Sequence, residues 1–400
     1  MSTSTRTVTD RFSPAVLATA FATFVAFLGI GVVDPVLPII GDKMGATGAE
    51  VELLFTTYLI VMAVAMLVSG VLSARFGNKR VIIVGLAIVV VMSALAGLSN
   101  SITELAIVRG GWGFGNALFT STALAVIVGL AEGGTEEAIM LYEAALGLGI
   151  AGGPLLGGYL GSFSWRYPFF GTATLMALAL IVSLAFLREP EGKEQATPAD
   201  MIMALKNPPV LVNALIGLCY SFGFFTILAY SPLTLPDLSA TALGVTFFAW
   251  GALVAVSSVF VVNWLTSRFD ASKVLFADVL GMALVLAAAG FAEGQAELLL
   301  PVIVISGIFC GIANAMFTTF AIQVSPFTRS VSSGAYNFLR WSGAAIAPVL
   351  AGYLKDAYSP GVPFFVGAVV VFVGAVGLFG GGSFLLNAIN RNAAEHVSAD

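Results

Sequence analysis

Charge is scarce in this 400-residue chain: Asp, Glu, Lys and Arg together make up 10% of it, against about 25% in an ordinary soluble domain. That is too little to cover a water-facing surface. The chain has a single histidine, His396, in its polar tail. With no embedded imidazole to carry protons, any titratable step inside the apolar segments falls to a carboxylate. The two cysteines, Cys219 and Cys310, both sit inside apolar runs, where thiols behave as small hydrophobes and offer no disulfide framework. A net charge of −5 leaves no basic patch for nucleic acid. No GxxxxGKS/T loop and no HExxH occur, which argues against an ATP-driven pump and a zinc hydrolase. Neither an enzymatic activity nor a metal or other cofactor is expected.

Apolar length is abundant instead. Hydrophobic residues make up 58% of the chain and mean hydropathy is +0.99, so the lipid bilayer is its main solvent. A membrane-spanning helix takes roughly 20 apolar residues. Twelve segments meet that requirement, at 13–40, 51–74, 81–99, 104–130, 137–161, 168–187, 209–235, 242–266, 274–292, 298–323, 330–354 and 363–388. A transmembrane barrel would show short alternating strands instead. The expectation is an all-α integral membrane protein of twelve spans, with 44 glycines available for close helix contact.

The one long polar connection, 188–207, divides the spans six and six, and the halves resemble each other. LSARFGNKRV (72–81) returns as LTSRFDASKV (265–274), NALFT (116–120) as NAMFT (314–318), PLLGGYL (154–160) as PVLAGYL (348–354) and PFF (168–170) as PFF (363–365), all at nearly one displacement. The expected organisation is a six-helix bundle at 1–187, a cytoplasmic linker at 188–207 and a second bundle at 208–400, with the substrate site where the halves meet. With the N-terminus inside, twelve of the 17 bases face the cytoplasm, Lys43, Arg166 and Lys355 face outward, and Arg109 and Arg340 lie within spans. That bias predicts a multi-pass cell-membrane protein with both termini cytoplasmic.

Several motifs resemble those of the major facilitator superfamily, and within it the twelve-span drug:proton antiporters. Gly70, Arg75, Gly77, Lys79 and Arg80 follow the loop signature GxLaDRxGRK, with Arg268 as the repeat of Arg75. Leu105, Arg109, Gly113 and Gly115 fall in a stretch similar to LxxxRxxQGxG. Gly149, Gly153, Pro154, Gly157 and Gly158 fit GxxxGPxxGG, a pattern that goes with export in that family. The sequence departs from the family at Ala74, where the loop signature has Asp, and at Trp112, where the fourth-helix signature has Gln. The first departure means that the charge network at the cytoplasmic side is weakened or rebuilt from other residues.

An embedded Asp or Arg costs about 2.5–3.5 kcal/mol on insertion scales, so such residues face the bundle interior. They are Asp34, Arg109, Glu143 and Arg340, the candidates for proton coupling and substrate binding. Asp34 and Arg109 read either as a functional couple or as a structural ion pair. Glu143 reads either as a proton carrier or as a carboxylate hydrogen-bonded for helix packing. Asp278 is expected to cap the cytoplasmic end of the ninth helix or to pair with a base. Asn116, Tyr142, Tyr220, Phe224, Asn314, Asn337 and Trp341 are the candidate cavity lining, and the glycine run around Pro154 reads as close packing, as a hinge, or as both. The function expected from these features together is proton-coupled export of small lipophilic or drug-like compounds by alternating access, driven by the proton gradient and carried out by a monomer. Export of sugars or other polar metabolites is the alternative.

Overall fold

The computed structural model describes residues 13–130, 134–189, 197–235 and 237–399. Among them all regular structure is helical. In chain order the helices are α1 (Pro14–Gly31), α2 (Leu37–Met44), α3 (Gly48–Phe76), α4 (Asn78–Leu98), α5 (Ile102–Leu130), α6 (Thr135–Gly161), α7 (Tyr167–Phe186), α8 (Pro198–Lys206), α9 (Pro208–Phe225), α10 (Ala240–Val256), α11 (Val262–Thr266), α12 (Ala271–Phe291), α13 (Ala296–Gln323), α14 (Arg329–Ala357) and α15 (Val362–Ala399).

Eleven helical segments among the described residues are long and apolar enough to cross a bilayer. The remaining expected span, 330–354, the eleventh in chain order, is the 29-residue helix α14. At 1.5 Å per residue it extends roughly 43 Å, so length is not what sets it apart. It carries Ser332, Ser333, Asn337 and Arg340, all buried, and this polar face, turned to protein instead of lipid, lowers its hydropathy.

Several expected spans are less regular than their apolar patterns suggest. The first ends as α-helix at Gly31 and passes through a 3-10 turn, Asp34–Val36, into α2. The seventh continues α9 through a π-helical turn, Thr226–Tyr230, and a 3-10 turn, Ser231–Thr234. The eighth joins α10 to α11 through a second π-helical turn, Ser257–Val261. Conversely, α6 runs unbroken through Pro154. Thr47 and Glu50 form a reciprocal capping box at the start of α3. Glu50 is thereby held as the anion, its carboxyl below the usual range because the Thr47 backbone and hydroxyl groups donate to it.

Helix pairing repeats along the chain. The neighbours α1–α6, α1–α7, α3–α5, α4–α5 and α4–α7 have counterparts in α9–α14, α9–α15, α10–α13, α12–α13 and α12–α15. Two further pairs, α3–α14 and α6–α10, join the two groups. Residues 197–206 of the polar connection are also ordered: Thr197 and Asp200 form a capping box, and α8 lies on α14, with Met201 against Gly334.

Helix α6 lies between α1 and α10 because one of its faces has almost no side chains. A Cβ on Gly149, Gly153 or Gly157 would collide with the carbonyl oxygen of Phe24, Leu28 or Val32 in turn, a four-residue ladder along α1. On the α10 side, Gly244 sits 2.9 Å from the Pro154 carbonyl oxygen by the same measure. Gly158 is buried in the same stretch.

Candidate functional site

Helix α14 places three side chains at the meeting of the two helix groups: Tyr336, Arg340 and Trp341, each buried. Arg340 donates from Nη2 to Asn314 Oδ1 on α13 at 2.7 Å. The same oxygen lies 3.1 Å from the Tyr220 hydroxyl, which also reaches the Cys310 carbonyl at 2.9 Å. Within the electrostatic reach of Arg340 lie Glu143 and Tyr142 on α6, together with Tyr220 and Tyr336. Glu143 is 1% exposed. Its polar neighbours are Arg340 and Thr318, yet neither of its oxygens makes a hydrogen bond within the described residues. An ionised carboxylate without hydrogen bonds in such a place is costly, whereas a protonated one is far cheaper to hold.

Aromatic rings surround this polar group. Phe27 on α1 stacks with Trp341 at 6.3 Å between ring centroids and meets Tyr142 edge-on at the same distance. Phe225 packs edge-on against Trp341 at 5.7 Å. Phe224 continues the cluster to Phe225, Tyr220 and Trp250, and Tyr220 reaches Phe317. The wall is therefore built by both helix groups, with Phe27 and Tyr142 from one and the remaining rings from the other.

Arg109 occupies a different setting. It is fully buried on α5, with its guanidinium 4.4 Å from the Tyr58 ring centroid, 4.9 Å from Trp112 and 5.9 Å from Phe55. Its Nε donates to the Leu54 carbonyl at 3.3 Å. Trp112, which replaces the family's Gln, thus forms one wall of a cation–π cage. Asn116, two turns along the same helix, donates to the Tyr58 hydroxyl and, at 3.4 Å, to the Ala26 carbonyl. The backbone of Asp34 lies in the 3-10 turn against α6, but its side chain is outside the described residues, so the Asp34–Arg109 couple is not among the contacts seen.

Asn337 gives its amide to Ser333, on its own helix, at 3.1 Å. One expectation changes. Asp278 neither caps a helix nor pairs with a base: the N-cap of α12 is Asp270, which pairs with Lys273 at 2.7 Å. Asp278 lies two turns inside, 5% exposed, with both oxygens lacking a hydrogen-bond partner among the described residues. One-dimensional position placed it near the cytoplasmic end, and only the orientation of its helix buries it.

At the loop signature, Gly77 adopts φ +90°, a left-handed conformation that favours glycine. The carboxylate of Glu189 accepts from the backbone N–H groups of Asn78 at 2.6 Å and Lys79 at 2.9 Å, at the N-terminus of α4. A Cβ on Gly77 would stand 3.1 Å from that carboxylate. Glu189 therefore supplies an acidic contact at the loop in which Ala74 stands where the family signature has Asp. Gly70 is buried in the preceding helix. Arg75 lies over Phe76, and Arg268 over Trp264. Lys79 is half-buried and Arg80 exposed, and among the described residues neither forms an ion pair.

The sequence pattern did not single out Phe27, Tyr58, Thr318, Tyr336 or Glu189. Phe27, Tyr58 and Tyr336 have no motif that separates them from other apolar-segment aromatics. Glu189 is 110 residues from the backbone it caps. Only the repeat of Asn116 as Asn314, each meeting a tyrosine hydroxyl, carried a signal that pointed to partners of this kind.

Comparison with known proteins agrees with this architecture. Residues 19–348 match the Major Facilitator Superfamily. The chain is 45% identical over 368 residues to the multidrug efflux protein YfmO of Bacillus subtilis, covering 92% of this chain and 93% of that one. It is 22% identical over 365 residues to the quinolone resistance protein NorA of Staphylococcus aureus, covering 89% and 93%. The crystal structure of the human organic anion transporter MFSD10 superposes with a TM-score of 0.74 at 14% identity, over 91% of this chain and 99% of that one, a likeness of fold. With its helical membrane architecture and this match across most of its length, the chain belongs to the Major Facilitator Superfamily.

Proposed function

We propose that the protein is a proton-coupled exporter of small lipophilic or drug-like compounds. In this reading it works by alternating access between a first half at 1–187 and a second at 208–400, joined by the connection at 188–207. The observation that carries the proposal is Glu143: a buried carboxylate beside Thr318, with no geometric hydrogen bond among the described residues, within electrostatic reach of Arg340 and enclosed by aromatic rings from both helix groups. The resemblance to proteins named for multidrug efflux and quinolone resistance supports the same substrate class.

Coupling would arise at a shared site. When Glu143 gives up its proton, its charge draws on Arg340, which otherwise donates to Asn314. When Glu143 is neutral, that attraction is lost and α6 and α14 are freer to separate. Asp34, in the turn packed on α6, is the second candidate proton site. Arg109 positions α3 and α5 from its aromatic cage. The lipophilic class is favoured over sugars because the site is walled by aromatic rings from both helix groups, Phe27, Tyr142, Phe224, Phe225 and Trp341. The protein is proposed to sit in the cell membrane as a monomer with both termini in the cytoplasm.

The test is transport in liposomes with the purified protein. Imposing an opposing pH gradient should drive efflux of a lipophilic dye, and Glu143→Gln should leave only gradient-independent movement. Flux indifferent to the gradient in the unmodified protein would refute proton coupling.

A further inference from the structure

We infer that Asp278 is a further proton-binding site of this transporter, reached from the α11–α13 end of the second helix group and separate from both Glu143 and Asp34. The inference rests on the proton coupling proposed above. Asp278 is 5% exposed, and neither carboxylate oxygen has a hydrogen-bond partner among the described residues. It also lines a cavity of about 360 Å³ with Leu265, Phe269, Lys273, Ala277 and Phe309. Lys273 and Phe269 are themselves exposed, so the cavity reaches the surface. An apolar wall excludes a stable bare carboxylate charge, while an opening gives protons access.

The groups facing Asp278 are few. Cys310 on α13 and Tyr220 on α9 feel its charge. Lys273, on its own helix at the cavity rim, is paired with Asp270. Helix α11 has no titratable residue, and α15 has none between Val362 and Asn390. Hence no embedded base among the described residues balances Asp278, in contrast to Glu143 with Arg340. A polar line leads inward: the Tyr220 hydroxyl reaches both the Cys310 carbonyl and Asn314 Oδ1, and Asn314 accepts from Arg340. Ionisation of Asp278 would therefore act on the Arg340 cluster through Tyr220 and Asn314, making it a positioning and proton-holding residue and not a substrate ligand.

Infrared difference spectra between acid and alkaline pH, on the purified full-length protein in liposomes, read buried carboxyl groups directly through their protonated C=O stretch. In a Glu143→Gln, Asp34→Asn background one such band should remain, which Asp278→Asn abolishes and Asp278→Glu restores at a shifted frequency. Should Asp278→Asn fail to fold, the frequency shift in Asp278→Glu alone decides the assignment. A spectrum unchanged by either substitution at 278 would overturn the inference. Gradient-driven dye efflux, measured on the same samples, separates the outcomes. Driven flux in the unmodified protein with no Asp278 band sinks this inference alone. A clear Asp278 band with flux indifferent to the gradient sinks the coupling reading and removes the transport role of Asp278 with it.

Discussion

The two embedded arginines occupy opposite kinds of site. Arg109 is enclosed by Phe55, Tyr58 and Trp112 and donates to a backbone carbonyl. Arg340 faces a carboxylate and an amide shared with a tyrosine. Both stand near an asparagine that meets a tyrosine hydroxyl, Asn116 with Tyr58 and Asn314 with Tyr220. The comparison teaches that the repeat supplied only the asparagine, since Tyr58 and Tyr220 stand on non-equivalent helices, and that the chemistry lies in what differs, namely Glu143 beside Arg340. Aromatic faces hold a cation without titrating, whereas a carboxylate can exchange its charge with protons.

The strongest way to break this comparison is at the carboxylate. Glu143→Gln is expected to abolish gradient-driven efflux, read as dye flux in liposomes, while thermal stability is kept. Active transport that survives would return Arg340 to a purely structural role. Next in size is the close contact of α6 with α1, the support on which Glu143 is carried. Gly157→Val should destabilise the protein by about 1–3 kcal/mol through overpacking against the Val32 carbonyl, read as a lower melting temperature. Melting unchanged from the parent would mean that α1 yields at no cost.

Arg109→Lys sharpens the contrast between the arginines. Lysine lacks the planar face that stacks on rings, so a loss of about 1–2 kcal/mol in stability is expected. Arg340→Lys should instead alter the pH dependence of flux more than melting. Equal behaviour of the two variants would erase the distinction. The smallest effect is at the loop: Glu189→Ala removes the acceptor for two N–H groups of α4 and should cost about 0.5–2 kcal/mol. Restoring an acid by Ala74→Asp in that background tests whether the two positions supply the same contact, with flux and melting as readouts.

Much of this was readable in one dimension. The apolar windows located the long helices, and the scarcity of charge singled out Arg109, Glu143 and Arg340, all of which are buried. Burial of a charge is legible because the bilayer gives it nowhere else to go. Partners were not legible. Glu143 lies within electrostatic reach of Arg340, on a helix of the other group that nothing in its own helix marks. Asp278 read as a terminal cap because distance from a helix end says nothing of which face the residue occupies. The π-helical turns at 226–230 and 257–261 fall within unbroken apolar runs, where insertion of one residue leaves no compositional trace.

The sequence by itself determined the solvent, the number of long segments, the repeat and the short list of charged residues that lipid cannot accommodate. Each follows from local composition, since about 20 apolar residues suffice to specify a span. Tertiary structure alone decided that Arg109 is caged, that Arg340 comes within electrostatic reach of Glu143 across the junction, that Glu189 caps α4 and that Asp278 is without a hydrogen-bond partner among the described residues, beside a cavity. Those are relations between helices distant in sequence, fixed by which faces pack together, and composition along one helix carries no record of its neighbour.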